Sequence, residues 1–488
     1  MKVKKQFQFF ILFLSAAVFA SCHKTDAVTP QLSVSSSNVQ LNQNGDISDV
    51  TVTSNSAWSI ISIIPDWLKF SQPTGNKGNT TLKISASPNN NFATRSATIS
   101  LAVSGGIPVQ IKVLQASGGS LYPSYNTSPV PSDATGMNST ATQLAAQIKL
   151  GLNIGNTMEA PGGETGWGNP MITQSLIDLI KQNGFNAIRL PCAWDLHVDN
   201  KATAHINTDW LNRVKQVVQY CINDNMYVIV NIHWDGGWLE QNCTLAKKDS
   251  VNAKQKAFWE QIATELRDFD EHLVFASANE PNASDATQAA VLMSYHQTFI
   301  NAVRSTGGKN SYRVLVLQAP NTSIDLANQY MTTLPADQIA NKLMLEAHYY
   351  TPPNFCILSS DASWGKMFYY WGLNYHSTTD PTRNATFAEE PYVDTVFNRL
   401  KINFVNKGIP VVMGEFGAVR RSNLTGDALT LHLKSRAHFY SYVAQKAKAN
   451  GVLPFLWDTG YTDGIFNRQN NTVFDQQALD SLKKGAGL

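Results

Sequence analysis

Charged side chains are scarce in this chain, and neither sign dominates. Asp, Glu, Lys and Arg make up 15% of the 488 residues, and the formal net charge is only +2. No basic stripe is present of the kind that nucleic-acid-binding proteins use. A disordered chain would carry more charge and fewer apolar residues than the 43% found here. The composition therefore predicts folded domains with large cores and no nucleic-acid partner.

Long apolar runs are missing except at the N-terminus. Three lysines among the first five residues precede an apolar stretch over residues 7–19, which is too short for an ordinary transmembrane helix. Small residues directly before Cys22 resemble a bacterial lipobox, so we predict a lipoprotein signal peptide over residues 1–22 with Cys22 lipidated. The alternative is ordinary cleavage beside an incidental cysteine. We expect an exported outer-membrane lipoprotein that faces either the periplasm or the cell surface.

Cysteine is rare as well. The five cysteines show no spacing typical of a zinc site, and we expect neither a metal nor a cofactor. Cys192 falls in a run of strand length and Cys221 on the apolar side of a helical pattern, which predicts buried thiols for both. A disulfide between Cys243 and Cys356 stays open, because exported proteins can form disulfides.

Residues 30–116 alternate apolar and polar side chains in short runs, separated by clusters of Gly, Asn, Pro and Ser. This pattern is typical of a small, all-β, immunoglobulin-like sandwich. The segment resembles the BACON domain of exported polysaccharide-degrading proteins in the runs Ser56-Ala57-Trp58, Pro65-Asp66-Trp67-Leu68, Arg95-Ser96-Ala97-Thr98-Ile99 and Val113-Leu114-Gln115. Trp58 and Trp67 either bind sugar or, in the interpretation that we favour, fill the core of a spacer module.

A linker rich in Ser, Gly and Pro is predicted over residues 117–138, followed by a second, larger domain over residues 139–488. Apolar runs of strand length alternate in that domain with helical patterns. Eight buried strands joined by helical crossovers predict an α/β fold, the (β/α)8 TIM barrel. The runs are residues 150–156, 187–194, 227–234, 273–280, 313–320, 343–350, 411–417 and 453–459.

Polar side chains stand where these runs end, and the strands of a barrel end together at one face. Glu280 closes the fourth run and Glu415 lies in the seventh, so their carboxyl groups are predicted to face each other across the barrel mouth. Such a pair suits glycoside hydrolysis, because a protonated carboxyl can donate to the leaving oxygen while an ionised one attacks the sugar. Arg189, in the second run, is expected to favour the charged form of Glu415.

Motifs at these strand ends resemble glycoside hydrolase family 5, the cellulase family, over roughly residues 140–485. Each motif alone is weak, whereas their order and their places at strand ends make the set specific. They are Ile188-Arg189-Leu190-Pro191, Asn231-Ile232-His233, Asn279-Glu280-Pro281, His348-Tyr349-Tyr350, Gly414-Glu415-Phe416-Gly417 and Phe455-Leu456-Trp457-Asp458. Two further segments are similar to subfamily 4, namely Asn153-Ile154-Gly155-Asn156-Thr157 and Thr165-Gly166-Trp167-Gly168-Asn169-Pro170.

The resemblance implies a role for each of these residues. Glu280 would be the general acid/base and Glu415 the nucleophile of a retaining double displacement, with carboxyl groups roughly 5–5.5 Å apart. The other residues would bind the sugar or position Glu415, and they are Arg189, His233, Asn279, His348, Tyr350, Trp457 and, on loops, His197 and Trp234. Trp234 replaces a second histidine that relatives commonly carry, which could change how a negative-subsite sugar is held. Ala276 replaces a glutamate that relatives often carry.

The predicted function is that of a retaining endo-β-1,4-glucanase, acting as a monomer on a plant polysaccharide such as xyloglucan, cellulose or mixed-linkage glucan. One alternative is a β-mannanase or xylanase of the same family. Another is a non-catalytic, membrane-anchored glycan-binding protein, against which both Glu280 and Glu415 argue.

The segment after the sixth run is crowded with large apolar side chains, among them Trp364, Phe368, Tyr369, Tyr370 and Trp371. Left on the surface, it would expose too much apolar area. Two interpretations stay equally open. The aromatic residues could line an open cleft as stacking platforms, or they could pack together as a small satellite core.

Overall fold

A computed structural model describes residues 29–89, 94–461 and 464–488. The predicted signal peptide and Cys22 lie outside these residues. The chain divides into two compact units with the boundary between Gly119 and Ser120. In the described part of the chain, no helix combines the length and the apolarity that crossing a membrane requires.

The first unit is a two-sheet β-sandwich, with strand orders β1-β3-β7-β5 and β2-β9-β8-β4-β6. Side chains alternate along its longer strands, so Ile99, Leu101, Ile111 and Val113 are buried between the sheets while their neighbours face outward. The strands are β1 (Leu32–Val34), β2 (Asn38–Leu41), β3 (Ile47–Ser54), β4 (Trp58–Ile60), β5 (Leu68–Phe70), β6 (Thr74–Gly75), β7 (Gly78–Ala86), β8 (Arg95–Val103) and β9 (Val109–Gln115).

Both tryptophans of the sandwich pack in or against its hydrophobic core. Trp58 is 2% exposed, and a Cβ on Gly75 would lie 2.4 Å from its Nε1 atom. Trp67 packs against the same core, and the guanidinium of Arg95 covers its ring at 4.7 Å. This packing supports the spacer interpretation for both residues.

The second unit is built on a closed barrel of eight parallel strands, in the order β11-β12-β15-β16-β18-β19-β20-β21. The predicted (β/α)8 fold is confirmed, and each predicted run overlaps one barrel strand. The strands of this unit are β10 (Val130–Ser132), β11 (Gly151–Ile154), β12 (Ala187–Leu190), β13 (Val198–Asn200), β14 (His205–Ile206), β15 (Tyr227–Asn231), β16 (Leu273–Ala276), β17 (Gly307–Gly308), β18 (Leu315–Gln318), β19 (Leu343–Tyr349), β20 (Val411–Phe416), β21 (Val452–Asp458), β22 (Phe466–Asn467) and β23 (Thr472–Val473).

Helices surround the barrel, and polar caps fix where several of them begin. Asp285 accepts a hydrogen bond from the Gln288 amide and so starts the helix that follows Glu280 and Pro281. The helices are α1 (Ala141–Gln147), α2 (Gln174–Gln182), α3 (Thr208–Asn223), α4 (Lys248–Glu265), α5 (Ala286–Ser305), α6 (Ile324–Tyr330), α7 (Pro353–Cys356), α8 (Glu390–Asn403), α9 (Gly426–Ala449) and α10 (Gln476–Ala486).

Most of the predicted linker packs on the barrel unit. Tyr122 and Tyr125 lie against the main core, and the Tyr125 amide donates to the carboxylate of Glu260 over 2.7 Å. Strand β10 then pairs in parallel with β17. The segment from residue 120 to residue 138 therefore belongs to the second unit, because Tyr122 and Tyr125 of this otherwise polar segment pack against the core of the barrel.

The aromatic segment after β19 folds back on the barrel. Phe368, Tyr369, Tyr370 and Trp371 are all buried, and Trp371 lies in the main core. Only Trp364 of the five is widely exposed, at 63%. The four buried aromatics therefore do not line an open cleft, and Phe368 and Trp371 join the main core of the barrel rather than a separate satellite core.

The four cysteines that the structure describes are buried and free. Burial of Cys192 and Cys221 confirms the prediction for these thiols. Cys243 and Cys356 form no bridge with each other.

Candidate active site

Closure of the barrel gathers the predicted side chains at the carboxyl ends of the strands. A carboxylate oxygen of Glu280, one of Glu415 and a ring nitrogen of His348 all lie within 4.8 Å of one another. The side chain of Glu280 is 47% exposed, whereas that of Glu415 is 8% exposed. The separation is near the 5–5.5 Å typical of retaining glycosidases and below the 6.5–9.5 Å that inverting enzymes need for a water molecule.

A β-bulge presents Glu415 to the cleft. Between Met413 and Phe416 strand β20 carries one residue more than either neighbouring strand. An extra residue of this kind re-aims a side chain, and bulges of this kind are common next to active sites. The hydroxyl of Tyr350 donates to Glu415 Oε2 over 3.0 Å. Burial and the nearby Glu415 raise the pKa of Tyr350 well above 10, so this phenol keeps its proton.

Arg189 is the buried centre of the site and is fully enclosed. Its Nη1 donates to Glu415 Oε1 and to Asn153 Oδ1, both over 2.9 Å. Its Nη2 donates to Asn279 Oδ1 over 2.8 Å and pairs with Glu346 Oε1 at 2.9 Å. Because the oxygen of Asn279 accepts from Arg189, its amide NH2 is the donor side of this residue, and it makes a hydrogen bond to Glu240.

His348 lies between three carboxylates. Its Nδ1 is 2.8 Å from Glu280 and 3.8 Å from Glu415, and its Nε2 is 3.1 Å from Glu346. Burial favours the neutral imidazole, but Glu415 and the hydrogen bonds to Glu280 and Glu346 outweigh burial and raise the pKa of His348 to about 10. The ring is therefore a cation that donates from both nitrogens.

The two carboxyl groups differ in pKa in the opposite order to the one that catalysis requires. Burial raises the pKa of Glu415, although His348 and Arg189 oppose it. Glu280 is also penalised by burial, but the hydrogen bond and charge of His348 lower its pKa overall. Arg189 acts in the direction that the sequence predicts, yet desolvation of Glu415 is the larger effect. Both oxygens of Glu415 nevertheless accept hydrogen bonds, one from Arg189 and one from Tyr350, as those of a carboxylate do.

Trp457 and His233 form the floor beside the carboxylates. Their rings stack with centroids 5.5 Å apart, and a Cβ on Gly155 would lie 2.5 Å from the indole. Trp457 lines a cavity of about 320 Å³ together with Glu280 and Glu415. Burial and the charge of Arg189 hold the pKa of His233 well below 6.5, so this imidazole is neutral.

Of the two loop residues predicted for the site, Trp234 lies at its edge and His197 lies apart from it. His197 stacks on Trp210 at 3.5 Å, and it lines none of the three described cavities that include Glu280. Burial lowers its pKa to about 4. Trp234 shares a cavity with Glu280 but not with Glu415. The structure thus brings Trp234 to one carboxylate and His197 to neither.

Three residues of the site escaped the sequence-based predictions: Asn153, Glu240 and Glu346. Glu346 and Asn153 contact Arg189, while Glu240 Oε1 accepts the backbone amide of Glu280 over 3.1 Å. The sequence did carry a signal for Glu346, since it stands two residues before His348 and alternate strand residues share a face. Glu240 lies on a loop, where no periodicity marks it.

Two family models match the chain. A model described as cellulase (glycosyl hydrolase family 5) matches residues 153–463. A BACON model, described as a putative N-terminal binding domain, matches residues 56–116.

One relative and two solved structures that match most of this chain are named as enzymes that act on xyloglucan. The xyloglucan-specific endo-beta-1,4-glucanase BoGH5A of Bacteroides ovatus is 34% identical and covers 98% of this chain and 96% of its own. A solved Bacteroides ovatus GH5 xyloglucanase with a XXXG heptasaccharide has a TM-score of 0.71 at 33% identity, covering 94% of this chain and 100% of its own. XEG5B, a GH5 xyloglucan-specific beta-1,4-glucanase from a ruminal metagenomic library, has a TM-score of 0.67 at 39% identity, covering 72% and 96%.

Proposed function

This chain belongs to glycoside hydrolase family 5, and from that premise we propose that it is a retaining endo-β-1,4-glucanase with xyloglucan as its preferred substrate. The observation that carries the reaction type is the close pair of carboxylates, Glu280 and Glu415, within 4.8 Å. The xyloglucan preference rests on the relatives, since one that covers 98% of this chain is named as xyloglucan-specific.

In the first step, Glu415 attacks the anomeric carbon and Glu280 protonates the departing oxygen, which leaves a glycosyl-enzyme ester. In the second step, Glu280 takes a proton from water, which attacks the same carbon and releases Glu415 as a carboxylate. The two inversions retain the β configuration. In this mechanism Asn279 donates to the 2-hydroxyl, and Trp457 supports the sugar ring.

The substrate-bound site must keep a proton on Glu280 and the negative charge on Glu415. Water reaches Glu280 in the free site, where its side chain is 47% exposed. A bound sugar displaces that water and so penalises the Glu280 carboxylate, while Arg189, Tyr350 and His348 hold the charge of Glu415.

The test compares purified protein on xyloglucan, mixed-linkage glucan and soluble cellulose, with Glu415→Ala as the inactive control. We expect the highest kcat/KM on xyloglucan, with viscosity falling before many reducing ends appear. Activity confined to mannan or xylan would favour the alternative enzymes of the family. Binding to glucan without any release of reducing ends would favour a non-catalytic glycan-binding protein.

We also propose that a lipid on Cys22 anchors the enzyme to the outer membrane. The support is the sequence alone, namely the charged and apolar segments that precede a lipobox-like cysteine. Cys22→Ala should move the protein from the membrane fraction to the soluble fraction, while Ser21→Ala serves as the neighbouring control. Protease treatment of intact cells separates a surface-exposed from a periplasmic enzyme. Unchanged membrane association of Cys22→Ala would contradict lipidation.

A further inference from the structure

Trp234 has a backbone conformation that bulky residues avoid. It lies at φ 47° and ψ −71°, and the next three residues, Asp235, Gly236 and Gly237, also have positive φ. A bulky L-residue in this region is strained, and such strain persists only where surrounding contacts impose it. Strain of this kind concentrates at functional sites, so the side chain that the turn exposes is a candidate for a functional role.

Two buried carboxylates hold the strained turn. Glu240 Oε1 accepts the backbone amide of Trp234 over 3.0 Å, as well as that of Glu280 over 3.1 Å. Asp235 is fully buried and accepts the backbone amide of Asp195 over 2.7 Å and the indole N–H of Trp238 over 2.8 Å. The turn is thus tied to the same carboxylate that fixes the backbone of Glu280.

The result is an exposed indole beside the acid. Trp234 is 42% exposed, although the residues on either side of it, His233 and Asp235, are buried. It lines a cavity of about 330 Å³ with Glu240, Gln241, Glu280, Asn282 and Asn321. An aromatic face, a carboxyl group and several side-chain amides in one open cavity match the apolar face and hydroxyl rim of a sugar ring.

The positions of Glu280 and Glu415 indicate which sugar of the substrate would occupy this cavity. Trp457 and Glu415 share a different cavity, in which the sugar that is attacked must lie. The cavity of Trp234 contains Glu280 but neither Glu415 nor Trp457. Because Glu280 gives its proton to the departing oxygen, a sugar on that side of Glu280 belongs to the leaving group.

We propose that Trp234 is the stacking platform for the first sugar on the leaving-group side of the cleaved bond. This inference rests on the proposed function, and it differs from the expectation that Trp234 affects a negative-subsite sugar. A sugar stacked on Trp234 fixes the glycosidic oxygen against Glu280 and raises the rate of cleavage only when the leaving group is a sugar.

The test uses two substrates that differ in their leaving group. Cellotetraose carries a sugar on the leaving-group side, whereas cellotriosyl β-fluoride expels a single fluoride ion and leaves the cavity of Trp234 empty. Trp234→Ala should lower kcat/KM on cellotetraose by about tenfold and leave it within about twofold on the fluoride. Trp234→Phe should keep most of the activity on both. Trp457→Ala, on the other side of the cleaved bond, should lower both.

Trp234→Gly separates binding from folding. Glycine adopts positive φ without strain, so this variant should melt at a temperature at least as high as the wild type and still lose activity on cellotetraose. Equal losses on both substrates, or no loss on cellotetraose, would overturn the inference. A wild-type protein that hydrolyses neither substrate nor any β-1,4-glucan would refute the proposed function instead.

Discussion

Glu346 occupies space that only a glycine leaves free, because a Cβ on Gly414 would lie 2.1 Å from Glu346 Oε1. The same oxygen is 2.9 Å from Arg189 Nη2 and 3.1 Å from His348 Nε2. A fully buried carboxylate therefore orients the two cations that contact the catalytic pair. Gly414 stands in the bulge of β20, so one glycine serves both the bulge and the network.

Replacing Gly414 with alanine should disable catalysis without unfolding the barrel. The methyl group would push Glu346 away from Arg189 and His348, and small displacements at an active site cost about 100-fold in rate. Gly417→Ala is the matched control, since the nearest atom to its Cβ would be an ordinary 3.6 Å away. Thermal unfolding and kcat on a soluble glucan measure the two effects. Wild-type kcat in Gly414→Ala would contradict the role given to Glu346.

Azide should distinguish the roles of the two carboxylates. In Glu415→Ala, azide can occupy the space of the missing carboxylate and attack the sugar directly, which gives an α-glycosyl azide. In Glu280→Ala with an activated substrate, azide should intercept the glycosyl-enzyme and give the β-azide. NMR of the products assigns the anomers. A β-azide from Glu415→Ala would refute retention through this residue.

His348 should make stability depend on pH in the alkaline range. Its folded pKa is raised from 6.5 to about 10, so its contribution to the free energy of unfolding is complete below about pH 6.5 and is lost as pH rises through about 10. His348→Asn should lack this alkaline loss. His205→Asn, a half-exposed histidine paired with Asp199, is the control. Denaturant midpoints at pH 6, 8 and 10 measure the difference, and parallel curves for wild type and His348→Asn would contradict the cationic ring.

The barrel was predictable because its signals are local. Each strand is a short apolar run, and parallel strands bring their last residues to one face, so the sequence alone predicts that Glu280 and Glu415 form a pair. Glu240 lies on a loop and could not be placed in this way, and for Glu346 the sequence indicated only the strand face that it shares with His348. A buried carboxylate is stabilised by partners that are distant in the sequence. Glu346 contacts Arg189 only when the barrel closes.

The order of the two carboxyl pKa values also lay beyond the sequence. Arg189 was expected beside Glu415, but the extent to which Glu415 is desolvated depends on the depth of the closed site. Trp234 shows the same limit, because its departure from the relatives' histidine was visible while the strained turn that exposes it was not. The sequence pattern predicts that Arg189 and Glu415 lie close together. The packing of the folded barrel decides how far burial raises the pKa of Glu415 and how far Trp234 is exposed.

The boundary of the catalytic unit should lie at residue 120, inside the segment that the sequence predicts as a linker over residues 117–138. Glu260 has a side chain only 3% exposed, and it accepts the backbone amide of Tyr125 over 2.7 Å and the hydroxyl of Ser124 over 3.1 Å. A protein that begins at residue 139 loses these donors, while Lys256 still pairs with Glu260 at 2.6 Å. The loss of the two hydrogen bonds should cost about 1–3 kcal/mol of unfolding free energy. A protein that begins at residue 120 should match the full chain in denaturant midpoint and in kcat/KM on soluble glucan. Equal stability of the two truncated proteins would show that the segment from residue 120 to residue 138 contributes nothing to the barrel.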